Sequence, residues 1–326
     1  MENAVLEVLD PGMLSTVQDF GRPGYEHLGV PHSGGCDRWG LAVANVLLGN
    51  VVSAAALEMT LVGPTLRAHG AFTVGLGGAD LGGIVLRTGD RIAPGTTHNL
   101  RDGDVLQFPG GFGGMRAYLS LHGGLDVPLS LGSRSTYIPA RLGGMEGRQI
   151  ATGDMIRSTA TAHEEIGASV WPERPSLVSD GEPVLRVVAG PDAALLPAVL
   201  EALLQTRWTI DPSSDRTGVR LVAGDSRAMP VHPPLISRPV VWGAIQVPPS
   251  EASIILQADH QTVGGYPVPA VVISADLPIL AQLRPGGSVG FTLVRQVDAI
   301  AVLRDQAEAF RDAMGRFRRD ALWHHI

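Results

Sequence analysis

The sequence contains no lysine: all 25 residues counted as Lys+Arg are arginine. That absence excludes a Schiff-base lysine, the lysine of a phosphate-binding P-loop and a Ser–Lys nucleophile pair. It also excludes a biotin or lipoyl carrier, because such groups ride on a lysine amine. A GC-rich genome favours arginine codons and accounts for the absence without appeal to function, but the exclusions hold either way. Cysteine is nearly absent as well. The one cysteine, Cys36, allows no internal disulfide and no multi-cysteine metal site, which fits a reducing cytoplasm. Aromatic residues make up only 5%, and no apolar run approaches the roughly 18 residues of a membrane span, Asn50 interrupting the best candidate. The start, Met1-Glu-Asn-Ala, lacks the charged-then-apolar pattern of a signal peptide. A net charge of −7 with no long run of either sign argues against nucleic acid or an anionic membrane as partner.

What is abundant is glycine, 41 residues, with 24 prolines over 326 positions. Many short strands joined by tight turns are expected, in roughly two domains. A strand is expected at 3–9 and a glycine-rich loop over 14–36. Asp37 then N-caps a helix to about Leu48, closed by Gly49-Asn50. Strands follow at Leu57–Leu61, Phe72–Gly77, Gly83–Leu86, Val105–Phe108 and Met115–Leu121. Periodicity lapses before residue 183, so the domains are placed at 1–165 and 183–326 with a linker at 166–182. The second half opens with a strand at Val184–Ala189 and a helix at Asp192–Gln205 capped by Asp192. Strands at Ile254–Ala258, Ala270–Ser274 and Val289–Val294 precede a terminal helix from about Val297 to Leu322. On that helix Ile300, Leu303, Ala307, Phe310, Met314 and Phe317 form one stripe, read as core. Arg101–Phe108 resembles Arg284–Phe291, and Phe72–Ala79 sits at a similar offset to Ser253–Asp259, so two related β-rich domains in tandem are expected.

Several motifs fail on context. Gly286-Gly-Ser288-Val-Gly290 matches a nucleophile elbow, but a strand follows it where a helix is needed. Gly75-Leu-Gly77-Gly78 begins like a dinucleotide fingerprint, yet Asp80 takes the third glycine position and would repel a pyrophosphate. His27 and His32, like His324-His325, lack metal-ligand spacing with a third ligand. Cys36 has no base paired with it in the sequence and reads as a packed thiol.

Four segments survive. Gln18, Asp19, Arg22 and Tyr25 are compressed between glycines in Thr16–Tyr25. Ser133 and Arg134 lie in Leu131–Thr136, with three hydroxyls around the arginine. Asp215 stands between Arg216 and Arg220 in Ser214–Arg220. Gln246 in Gly243–Pro248 is followed by Asp259, Gln261, Gly264, Gly265 and Tyr266 in Asp259–Pro267. Arginine forks suit carboxylate or phosphate ligands, and a Gly–Gly pair can turn bare N–H groups on an oxyanion. The competing reading of each segment is a structural turn held by an Asp–Arg pair. The candidate catalytic residues are Asp19, Asp259, Arg216 and Tyr266, with Asp19 or Asp259 as proton acceptor. The others named are candidate substrate-binding residues.

These segments, with Pro11-Gly12, Gly29–Gly34, Asp37, Ala44-Asn45, Gly49-Asn50, Leu57-Glu58, Gly63-Pro64, Arg116–Tyr118, Gly123-Gly124, Gly153-Asp154 and Ala281–Gly286, resemble the biotin-dependent carboxyltransferase family, also called allophanate hydrolase subunit 2. The family includes the 5-oxoprolinase C subunit and the carboxyltransferase part of urea amidolyase, together with an antagonist of a sporulation-kinase inhibitor. The sequence departs from the family pattern at Cys36, usually Met, at Thr217–Arg220, usually Met-Gly-Tyr-Arg, and at Val263, usually Thr. The resemblance implies a mainly β chain (α+β) of two tandem cyclophilin-like β-barrel domains with a few helices, and a ligand site between them. It implies a subunit 1-type partner in a hetero-oligomer, and a third lactam-utilisation component for an oxoprolinase. ATP would be shared with those partners; biotin, in a carboxyl-transfer reading, would sit on a separate carrier. A non-catalytic regulator that binds a kinase inhibitor is the third reading. Amidase chemistry of the Ser–Ser–Lys type is excluded by the missing lysine.

Overall fold

The computed structural model describes residues 4–111, 113–160, 171, 182–223, 235–248 and 253–323, with side chains to Phe317. The expected linker, apart from Trp171 and Glu182, lies outside them, as do His324 and His325. The chain divides into two units, one of residues 1–22, 33–174 and 311–326, the other of 23–32 and 175–310. These differ from the sequence boundaries in giving residues 23–32 to the second unit and the end of the last helix to the first.

The first unit runs β1 (Val5–Asp10), β2 (Leu14–Gln18), α1 (Arg38–Val46), β3 (Ala56–Thr60), β4 (Thr65–His69), β5 (Phe72–Gly78), β6 (Ile84–Val85), β7 (Thr96–Leu100), β8 (Val105–Gln107), β9 (Arg116–Leu121) and β10 (Met155–Arg157). They form two five-stranded sheets, β10-β1-β4-β8-β6 and β2-β3-β9-β5-β7. Leu6, Val8, Leu66 and Leu106 of one and Val17, Leu57, Val74 and Leu119 of the other meet in a single core. The tandem-barrel expectation is therefore refined: among the described residues this unit is two sheets around one core, not a closed ladder. The chain changes sheet at its corners, through Pro11-Gly12-Met13 and through Leu61–Pro64, where Gly12 (φ 70°) and Leu61 (φ 59°) take left-handed backbone.

Strand β2 corrects the expected loop over 14–36. Its Ser15, Thr16 and Gln18 are buried, and their polarity hides the strand from a hydrophobic pattern. Each finds a partner: the Ser15 hydroxyl donates to the Pro11 carbonyl at 2.8 Å, and Gln18 Nε2 donates to Thr16 Oγ1 at 3.1 Å. Helix α1 is capped as expected, Asp37 Oδ1 accepting from the Gly40 N–H at 2.9 Å.

The failed dinucleotide motif turns out to be a packing device. Gly75 and Gly77 of β5 face α1, and a Cβ on Gly77 would lie 2.1 Å from the Gly40 carbonyl oxygen. Gly77→Ala must push helix from sheet and is expected to cost about 2–3 kcal/mol, read as a lowered midpoint in urea unfolding.

The second unit contains β11 (Val184–Ala189), α2 (Pro197–Gln205), β12 (Trp208–Ile210), β13 (Gly218–Ala223), β14 (Arg238–Pro239), β15 (Ala244–Gln246), β16 (Ser253–Leu256), β17 (Val263–Gly264), β18 (Ala270–Val272), α3 (Leu277–Gln282), β19 (Ser288–Leu293) and the start of α4 (Gln296–Trp323). Seven strands close a barrel in the order β11-β18-β15-β16-β13-β12-β19, and β14 and β17 form a separate two-stranded ribbon. One face of the barrel strands carries Leu185, Val187, Val219, Leu221, Ile245, Ile255, Val289 and Phe291 into a common core with Leu203 of α2 and Leu280 of α3. Ser288 opens β19, as the hairpin reading of the elbow motif requires.

Two expectations fail here. Asp192 does not cap a helix: α2 begins at Pro197, while the buried Asp192 carboxylate accepts from the Val268 N–H at 2.7 Å and from Arg238 Nη2. Its partners lie far along the chain, where local helix signals give no hint of them. The stripe on α4 is core only toward its end: Phe317 is buried beside Ala313, but Ile300 and Leu303 are 43% and 42% exposed. No described helix is long and apolar enough to cross a membrane.

Candidate functional site

In the first unit the sequence-predicted residues Gln18, Asp19, Arg22, Ser133 and Arg134 come together. Leu131 (φ 52°) and Gly132 (φ 77°) are both left-handed, and the Ser130 and Ser133 peptides bond each other across them at 2.8 and 3.2 Å. Two left-handed residues make a tight primed turn, and a leucine holds that conformation only at a cost. The turn is held by Asp19. Its Oδ1 accepts from Ser133 Oγ at 2.6 Å, Ser135 Oγ at 2.5 Å and the Gly21 N–H at 2.7 Å, and its Oδ2 from the Arg134 N–H at 2.6 Å. Four donors occupy this carboxylate, so its geometry suits positioning of the 133–135 loop better than proton abstraction.

The two arginines are likewise engaged. Arg22 is buried, with Nε 3.4 Å from the Ser130 carbonyl and Nη2 donating to the Ser135 carbonyl, and Arg134 Nε donates to the Val127 carbonyl at 2.9 Å. Gln18 Nε2 donates to the Thr136 carbonyl at 3.1 Å, while its buried Oε1 has no partner among the described residues.

A buried polar cluster that residue-level reasoning passed over stands on β3, β9 and the turn into α1. Glu58, Arg116 and Tyr118 are almost fully buried. Tyr118 Oη donates to Glu58 Oε2 at 2.6 Å and accepts from the Asp37 N–H at 2.8 Å. Glu58 Oε2 also accepts from the Cys36 N–H at 2.9 Å, and Arg116 Nε lies 3.8 Å from Glu58 Oε1. Burial, then the negative Glu58, push the Tyr118 phenol well above its ordinary pKa and keep it a donor. The only advance signal was the pairing of Leu57-Glu58 with Arg116–Tyr118 in the family resemblance. Cys36 is buried, as a packed thiol should be.

In the second unit the predicted residues divide. Arg216 and Asp259 form a buried bidentate pair, Nε to Oδ2 at 2.8 Å and Nη2 to Oδ1 at 3.1 Å. Asp215 makes a turn, its Oδ1 accepting from the Thr217 and Gly218 N–H groups at 2.8 and 3.1 Å. Arg220 is exposed on the outer face of β13 and joins neither. Tyr25, in the stretch 23–32, uses its carbonyl to hold the Leu28 and Val30 N–H groups, and Tyr266 is 45% exposed.

Gln246, Gln261 and Gly264 do converge. In the strand register Arg220, Ile254 and Gln246 stand side by side, on the face opposite the barrel core. Gln246 is nevertheless buried, and its Oε1 accepts from Gln261 Nε2 at 2.9 Å. Gly264 pairs with Arg238 in the β14–β17 ribbon, and a Cβ there would lie 2.4 Å from Gln246 Nε2. Glycine is needed at 264 for this close approach, a reason different from the oxyanion role expected of Gly264-Gly265. The Gly265 carbonyl accepts from the Leu235 N–H at 3.3 Å. Among the described residues, the buried Gln246 Nε2 has no acceptor, and neither atom of the buried Gln257 amide has a partner. Buried orphan donors are rare enough to need an explanation, and a donor against a close glycine backbone suits a carbonyl or carboxylate oxygen.

Residues 28–293 match the family described as "Carboxyltransferase domain, subdomain A and B". The chain belongs to this carboxyltransferase family. Among curated relatives it is 33% identical over 316 residues to the 5-oxoprolinase C subunit of Haemophilus influenzae, covering 96% of this chain and 98% of that one. It is 32% identical over 323 residues to the 5-oxoprolinase C subunit of Escherichia coli, covering 97% and 100%. The solved urea amidolyase of K. lactis superposes with a TM-score of 0.85 at 29% identity, over 97% of this chain but 20% of that one. The carboxyltransferase match takes in Ser133 and Arg134 and every second-unit segment from Asp215 to Tyr266, and leaves Gln18, Asp19, Arg22 and Tyr25 before it.

Proposed function

We propose that this carboxyltransferase-family chain is the C subunit of an ATP-dependent 5-oxoprolinase, opening a small cyclic amide together with a subunit 1-type partner and a third lactam-utilisation component. The observation that carries the reading is end-to-end correspondence with the two 5-oxoprolinase C subunits, 98% and 100% of whose lengths are spanned, against 20% of the urea amidolyase. The site chemistry supports it. Gln246 Nε2 is a buried donor with no acceptor among the described residues, and a lactam carbonyl or its carboxylate offers one. The four candidate arginines are turned to other tasks: Arg22 and Arg134 are committed to carbonyls, Arg216 to Asp259, and Arg220 faces outward. No step is therefore assigned to ATP on this chain.

The test is reconstitution of the chain with both partners, ATP and 5-oxoproline. Glutamate release that requires this chain is expected; release no greater than with the chain omitted defeats the reading. The urea amidolyase likeness favours one second reading, carboxyl transfer from biotin held on a separate carrier, with Gln246 Nε2 donating to the ureido oxygen. Free biotin binding that is lost in Gln261→Ala would support it.

A further inference from the structure

Both carboxylates first considered as proton acceptors are engaged: Asp19 by four donors and Asp259 by the Arg216 fork. The residue beside Asp259 keeps one ring nitrogen open. His260 is only 6% exposed. Its Nδ1 lies 2.6 Å from the Gln261 carbonyl oxygen, and its backbone N–H donates to the Gln257 carbonyl at 3.1 Å. A carbonyl can only accept, so Nδ1 carries the hydrogen, and in the neutral ring Nε2 holds the lone pair. No described residue bonds Nε2.

We propose that His260 is the proton acceptor of this site, its Nε2 taking the proton of the water that attacks the amide carbonyl. The proposal rests on the oxoprolinase reading. As the water oxygen bonds the carbonyl carbon, the π pair moves to the carbonyl oxygen and the proton passes to Nε2. On collapse the C–N bond breaks and the same proton goes to the departing ring nitrogen. The imidazole returns neutral, and one water has been added across the amide.

Position supports the role. His260 adjoins Gln261, whose side-chain amide donates to Gln246, the residue of β15 that carries the orphan Nε2, so one hydrogen bond links the neighbour of the proton acceptor to the donor to oxygen. The Gln261 carbonyl fixes the ring, as the orienting group of a catalytic histidine does. Charge supports it too. Burial pushes the imidazole below its ordinary pKa, more than the Gln261 carbonyl, Asp259 and Glu26 of the 23–32 stretch raise it. Asp259 is itself paired with Arg216. A ring with a lowered pKa is neutral, and able to accept, throughout the physiological range.

Two measurements test this. In the reconstituted enzyme, His260→Asn retains a donor for the Gln261 carbonyl but no proton acceptor. It is expected to lose roughly 10²–10⁴-fold in kcat, with KM little changed, and to lose the acid limb expected of wild type where the imidazole takes up a proton, below its ordinary value. His260→Asn activity within threefold of wild type, with the acid limb intact, overturns the proposal. The second measurement is ¹⁵N NMR of the full chain alone, assigned by the signal missing in His260→Asn. It is expected to give an Nδ1–H tautomer with a midpoint below the ordinary imidazole value; the opposite tautomer or an ordinary midpoint overturns the proposal. Wild type that makes no glutamate defeats the oxoprolinase reading, while the NMR result still decides whether Nε2 is an open base.

Discussion

Alanine at Asp259 is expected to lower the unfolding free energy by about 3–5 kcal/mol, because it removes the partner carboxylate of a buried guanidinium. The side chains of Arg216 and Asp259 are 6% and 7% exposed, so water cannot replace the lost carboxylate. The pair is bidentate, which makes its geometry as well as its charge hard to substitute. Arg216→Lys keeps the charge but gives up the fork, and a smaller loss is expected. Asp259→Leu combined with Arg216→Met removes both charges and should recover most of the stability, since apolar isosteres of a buried pair are often neutral or better. Urea unfolding of the full chain measures all three. A loss below about 1 kcal/mol in Asp259→Ala would show that the pair behaves as a surface ion pair.

Asp19→Ala is expected to reduce glutamate formation by at least about 100-fold, a loss of roughly 3 kcal/mol in transition-state stabilisation. It removes the acceptor for two hydroxyls and two backbone N–H groups at once. With it goes the restraint on a turn that keeps Leu131 at φ 52°, so limited proteolysis near 130–136 should accelerate. Asp19→Asn retains one acceptor oxygen but turns an N–H₂ toward a donor, and partial activity with intermediate protease sensitivity is expected. Unchanged proteolysis alongside lost activity would mean that Asp19 acts on the reacting groups directly and does not position the loop.

The sequence was most legible where local rules operate. Asp37 capped its helix as expected, and Val184–Ala189 is a strand to the residue. Asp192 and β2 escaped because their reasons are non-local. Asp192 is explained by Val268 and Arg238, and the buried hydroxyls of β2 look like a loop until their partners are in view. The same holds for the site. The Asp19 loop and the Gln246–Gln261 pair come from the predicted segments, but Arg220 lies apart from Arg216's partner through its strand face and Asp215 through its turn, neither of which composition discloses. His260 went unremarked because only the carbonyl against Nδ1 distinguishes it from any packed histidine.

The Gln246–Gln261 pair belongs to the face of the barrel strands opposite the core, beneath the small ribbon of β14 and β17. Interior and proposed recognition surface thus occupy opposite sides of the same strands. Side chains such as Val219, Leu221 and Ile255 are free to exchange volume with one another over evolutionary time while the amides behind them keep their register. Such a scaffold lets substrate preference and thermal tolerance drift separately, because alternate positions along one strand answer to different selective pressures.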